Sequence, residues 1–130
     1  QNFTFVGGIL NLKRQNDAIL VCDYLINRKY SVAELYMMEG FIYENKGDSI
    51  RSIKNYILAR NNFKDRIQKD QNKVSNQINL IFSEFMISND KKEALKEIEI
   101  LKNKFPQNVE IENMQELIKD FNRGVYLQQF

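Results

Sequence analysis

The chain of 130 residues contains no histidine, one cysteine, one proline and only five glycines. Without histidine it has neither the commonest general base nor the commonest metal ligand. The lone Cys22 can neither close an internal disulfide nor hold a metal by itself, and it leaves the redox compartment open. So little Gly and Pro argues against the many turns of an all-β fold. No apolar run approaches the roughly 18 residues that a membrane span needs. Charge of one sign is lacking too: 19 basic and 17 acidic residues alternate along the chain, for a formal charge of +2. Such interleaving makes a solvated helix surface and not a nucleic-acid footprint.

Motifs that carry chemistry are equally scarce. Gly7-Gly8 is followed by no Lys-Ser or Lys-Thr, so it cannot cradle a phosphate. Asp17–Arg28 lacks the oxygen ligands of a calcium loop. The carboxylate pairs Glu97/Glu99 and Glu110/Glu112 stand two apart, a spacing that diverges on a helix. The expectation is a chain that is not an enzyme and uses no cofactor or metal. Cys22 falls on one stripe with Ala18 and Leu25 and reads as a small core side chain, not a reactive thiol.

What the chain does have is 43% hydrophobic and 28% charged residues in the length of one domain, the composition of a packed globule. Asn, Lys and Ile are heavily used, a habit of low-GC genomes. The first residue is Gln1, as expected of a processed chain or a fragment with any targeting segment upstream.

Helix signals are dense. Ser31-Val32-Ala33-Glu34 has the form of a capping box, with Tyr30 and Leu35 at the spacing of a hydrophobic staple. Gly47 stops that helix and Asp48 can cap the next. Asp90 with Glu93 repeats the cap, Pro106 closes the helix that follows, and Asn108 opens another. The spacing predicts seven helices, at about Phe3–Arg14, Asp17–Lys29, Val32–Lys46, Ser49–Arg60, Phe63–Ile87, Lys91–Lys104 and Val109–Arg123. The fold class is therefore all-α.

The stretch Ala33–Arg60 carries Tyr36, Gly40, Tyr43, Gly47-Asp48, Ser52, Tyr56 and Ala59 at fixed offsets. It resembles a tetratricopeptide repeat, a pair of antiparallel helices recurring about every 34 residues. In that reading Gly40 and Ser52 let the two helices approach, Tyr43 and Tyr56 fill the crossing, and Ala59 makes room for the next unit. Ala18 lies 34 residues before Ser52, and Cys22 and Leu25 keep the same phase with Tyr56 and Ala59, although Gly8 is two residues out of step. Ala94 follows Ser52 by 42 residues, with Phe82, Phe85 and Pro106 at coherent places around it. The excess over one period is assigned to a longer helix from Phe63. Glu39, where the family usually has a core Leu, and Lys64, where it usually has Pro, depart from the pattern.

The resemblance implies a right-handed α-solenoid of about three helix pairs, with units at about 1–30, 31–62 and 63–106. A capping helix at 108–123, bearing Val109, Met114, Leu117, Ile118 and Phe121, would cover its end. It further implies a non-catalytic scaffold that binds, and could stabilise, another protein in the concave groove lined by the first helices. The ridge there would carry Glu34, Met37, Phe41 and Glu44, extended by the polar strip Asn76, Asn79 and Ser83. Phe3 and Gly7 would occupy the equivalent ridge of the first unit. With no cation on these ridges, a clamp for a terminal carboxylate is not expected. Met37 and Phe41 have two readings: contacts for a helix or extended peptide, or packing against the preceding unit or an upstream segment. Low-GC bacteria, spirochaetes among them, carry similar small repeats on envelope-associated proteins, so the resemblance leans towards an envelope setting. Two rivals remain: self-association through an end of the array or the long helix, and, with less support, RNA binding along Lys64, Arg66, Lys69 and Lys73.

Overall fold

Local chain chemistry sets several of the helix ends. The structure, a computed structural model, describes residues 5–130, with side chains from Leu12 onward. Phe3 lies outside the described residues, as do the surroundings of Gly7 and Gly8. The described residues form seven helices and no strand: α1 (Phe5–Asn27), α2 (Val32–Asn45), α3 (Ser49–Lys69), α4 (Val74–Ser88), α5 (Lys91–Lys104), α6 (Val109–Lys119) and α7 (Arg123–Leu127). Asp48, Asp90, Asn108 and Asn122 each accept a hydrogen bond from the backbone N–H three residues on, which opens α3, α5, α6 and α7. Between α2 and α3 the chain makes a Schellman turn. Gly47, at φ 84°, donates to the Glu44 carbonyl, and Asp48 donates to that of Tyr43.

Each helix from α1 to α5 packs on its successor, and α4 also touches α6. The α2–α3 pair runs antiparallel, since Glu44 meets Tyr56 near the turn while Glu34 meets Arg66 at the far end. At their crossing a Cβ on Gly40 would stand 2.2 Å from Tyr56 Cε1, so the absence of a side chain there sets the interaxial distance. Ser52 and Ala59 are buried along the same seam. Tyr56 fills the crossing alone. Tyr36 and Tyr43 are half-buried, and the Tyr43 ring lies at the rim with Lys46 and Arg51 each 5.8 Å from its centre. Phe82, Phe85 and Ala94 are buried in the same core, which runs on through Ile98 and Leu101 to Ile111 and Ile118. Pro106 is exposed in the turn between α5 and α6.

Several expected boundaries move. The turn anticipated between Arg14 and Asp17 is absent: Gln15-Asn16 contains no breaker, and α1 continues through it. Ala18 is accordingly half-buried in mid-helix, not on the second arm of a hairpin. At Lys64 no proline stops the chain, so α3 runs on to Lys69, and the break falls at Asp70–Lys73 instead of near Asn61. The residues in excess of one period thus lengthen the end of α3, not the start of α4. Ser31 makes no side-chain cap: its backbone is left-handed at φ 40°, and Glu34 is committed to Arg66 instead of reaching back. Tyr30 remains exposed. The capping helix, expected to reach Arg123, ends at Lys119 as α6, and the residues beyond it add a further helix: α7 folds back onto α2.

Candidate partner groove

α2, α4 and α6 face a common hollow, and α7 with the residues after it lies in that hollow. The floor is aromatic. The Phe41 ring (α2) lies 6.2 Å from Phe82 (α4), 5.4 Å from Tyr126 and 4.7 Å from Phe130. Phe121, in the link before α7, packs edge-on against Phe82 and Phe85 at 6.0 and 5.0 Å. Such edge-to-face pairs add modestly to the area they bury. Leu127 completes the contact at 6% exposure.

A charged clamp anchors the other side of α7. Arg123 forms a bidentate ion pair with Glu44, its Nε on Oε2 and its Nη2 2.8 Å from Oε1. The same Nη2 donates to the Met86 carbonyl at 2.7 Å, so one guanidinium ties α7 to both α2 and α4. Glu44 Oε1 also accepts from the Tyr56 hydroxyl at 2.9 Å. Burial alone would raise the Glu44 carboxyl, but the hydrogen bonds from Arg123, Tyr56 and Ser52 outweigh it and hold the group below its usual range. At the end of the segment, the Phe130 carbonyl accepts from Gln15 Nε2 at 3.1 Å and Asn45 Nδ2 at 3.3 Å.

The structure separates the residues expected to form one ridge. Glu34, Met37, Phe41 and Asn79 do line one depression of about 230 Å³, walled by Met114, Leu117 and Tyr126. Met37 and Phe41 are nonetheless only 7% exposed, and the rings of Tyr126 and Phe130 lie against Phe41. Glu34 stays exposed in a bidentate pair with Arg66. Glu44 belongs to the Arg123 clamp. The polar strip does not form, because Ser83 is fully buried and donates to the Leu80 carbonyl, and Asn76 is buried beside Arg66. Arg123, Tyr126 and Phe130 are the residues that sequence reasoning missed. The aromatics bunched at Phe121, Tyr126 and Phe130 were the available signal, but nothing local says which surface they meet.

A second feature sits between α1 and α2. Glu39 is 5% exposed, and its Oε1 has no hydrogen-bond partner. Burial first, and then the Asp23 carboxylate, push the Glu39 carboxyl up to about 8. The buried Cys22 thiol beside them is raised to about 11, by burial first and then by Glu39 and Asp23. Among the described residues no three His, Cys, Asp or Glu side chains come together to hold a metal ion. None of the described helices is long and apolar enough to cross a membrane. Comparison with protein-family models, with curated proteins and with solved structures found no match.

Proposed function

We propose that this chain is a non-catalytic helical scaffold, similar to tetratricopeptide repeats, that binds another protein in the groove of α2, α4 and α6. One observation carries the reading. The groove already holds a short peptide segment as a partner would be held, with rings on an aromatic floor and one cation in a bidentate carboxylate clamp. The test uses baits of the wild-type chain and of Asn79→Arg, which crowds the groove from a half-buried wall without entering the core. A protein retained by the wild type and lost by the variant, at matched helicity and thermal stability, supports the reading. Equal retention by both baits, or none by either, refutes it.

Self-association is the second reading, favoured by a different surface. Leu20, Val21 and Tyr24 on α1 are 67%, 57% and 56% exposed, and side chains of that size seek cover. Light scattering that shows a concentration-independent monomer disposes of it.

A further inference from the structure

The segment Arg123–Phe130 is held differently from the helices around it. α7 has five residues, too few to be helical by itself, and Gly124 lowers its propensity further. Val125 is 62% exposed, and only Leu127 of α7 is fully buried. The rest of its attachment is by side-chain tips and a few hydrogen bonds: one guanidinium on Glu44 and the Met86 carbonyl, rings on Phe41 and Phe82, and the Phe130 carbonyl accepting from Gln15 and Asn45. It also fills its seat incompletely, because the depression of about 230 Å³ remains beside the Tyr126 ring, against Met114 and Leu117. Short segments with few buried contacts are the cheapest parts of a fold to open.

We infer that Arg123–Phe130 is a displaceable occupant of the groove. The partner it stands in for is a peptide carrying an arginine followed by aromatic residues three and seven positions later. The spacing is that of Arg123, Tyr126 and Phe130. Arginine is specified over lysine because Nε and Nη2 grip the two Glu44 oxygens in parallel while Nη2 also reaches the Met86 carbonyl, a planar fork that an ammonium does not offer. A ring larger than that of Tyr126 is preferred, since it would enter the unfilled space. The inference rests on the reading of this groove as a partner site. It adds who the partner resembles and why the site is closed when the partner is absent. A tethered copy is present at an effective concentration in the millimolar range, so a free peptide competes poorly until the tether's hold is loosened.

The probe is a fluorescent peptide spanning Lys119–Phe130, titrated into the full chain by anisotropy. The Arg123→Ala chain, whose own segment has lost its clamp while Glu44 is intact, should bind the probe at least about tenfold more tightly than the wild type does. A probe carrying Tyr126→Trp should bind more tightly still, and one carrying Arg123→Glu should not bind. In the wild-type chain, excess unlabelled peptide should speed hydrogen exchange at Gly124–Leu127 at least about threefold while α4 is unchanged. This readout stands even if Arg123→Ala unfolds the protein. Equal binding to both chains, binding to neither, indifference to Arg123→Glu in the probe, or unaltered exchange would each overturn the inference. Any of these alongside a protein captured in an Asn79-dependent way removes the displaceable segment and leaves the scaffold.

Discussion

Replacing Gly40 by alanine adds one methyl group at the tightest point of the α2–α3 crossing. The new Cβ would lie 2.2, 2.4 and 3.1 Å from Cε1, Cδ1 and Cζ of Tyr56. Carbon atoms rest at about 3.5–4.0 Å, so the ring or the helix must shift by more than an ångström. The ring has nowhere easy to go: Tyr56 is fully buried, it packs at a tilt against the Phe41 ring 5.9 Å away, and its hydroxyl donates to Glu44 at 2.9 Å. Overpacking of this kind costs about 1–3 kcal/mol, and a strained or broken Tyr56–Glu44 bond adds about 1 kcal/mol. Alanine in a helix returns about 1 kcal/mol through propensity. The expected balance is a destabilisation of about 1–3 kcal/mol, or roughly 4–12 °C in Tm for a domain of this size. Urea and thermal unfolding followed by circular dichroism measure it. The cause is isolated by a double-mutant cycle with Tyr56→Leu: if the clash is the reason, the second Gly40→Ala step should be milder by about 1 kcal/mol or more. A Gly40→Ala chain as stable as the wild type, or a cycle with no coupling, would refute the close-crossing account.

Three further outcomes follow from particular side chains. Glu39 has a folded pKa of about 8 against about 4.3 when unfolded, so between those values the folded chain holds the extra proton. Stability should therefore fall as pH rises through that window and level off above it. Glu39→Gln should flatten the slope, and Glu39→Leu should gain about 1–3 kcal/mol at pH 8 by removing a buried, unpartnered oxygen; an unchanged slope in Glu39→Gln contradicts this. Gly47→Ala meets no atom within 4 Å and pays only for its φ of 84°, about 1–2 kcal/mol. Gly124→Ala, in ordinary contact with Asn122, should be neutral or stabilising, and equal effects at the two glycines in chemical denaturation would deny the role of backbone conformation. Cys22, 5% exposed with its thiol raised to about 11, should react with a disulfide reagent at pH 7 at least about a hundredfold more slowly than a free thiol, and a rate equal to that of the urea-unfolded chain would show the site to be open.

What neighbouring residues decide could be read directly along the chain. The all-α class followed from the scarcity of breakers and from periodicity. The caps at Asp48, Asp90 and Asn108 and the turn at Gly47 were legible because a side chain and the backbone it satisfies lie within three or four residues. Gly40 could be singled out because the stretch around it resembles a tetratricopeptide repeat, in which a small residue stands where the paired helices cross. The tertiary structure alone decided the rest. Ser31 had the letters of a cap, but Glu34 is drawn away by Arg66, 32 residues later. Nothing between Arg14 and Asp17 forbade either a turn or a helix, and the continuous α1 took the place of a hairpin. Phe41 looked equally suited to an open ridge or a covered floor, and Tyr126 and Phe130 cover it from the far end of the chain. Glu44 finds Arg123 at a separation of 79 residues. Periodicity tells a helix which face is apolar; which surface will cover that face is settled by long-range packing, whose energy is carried by no local pattern.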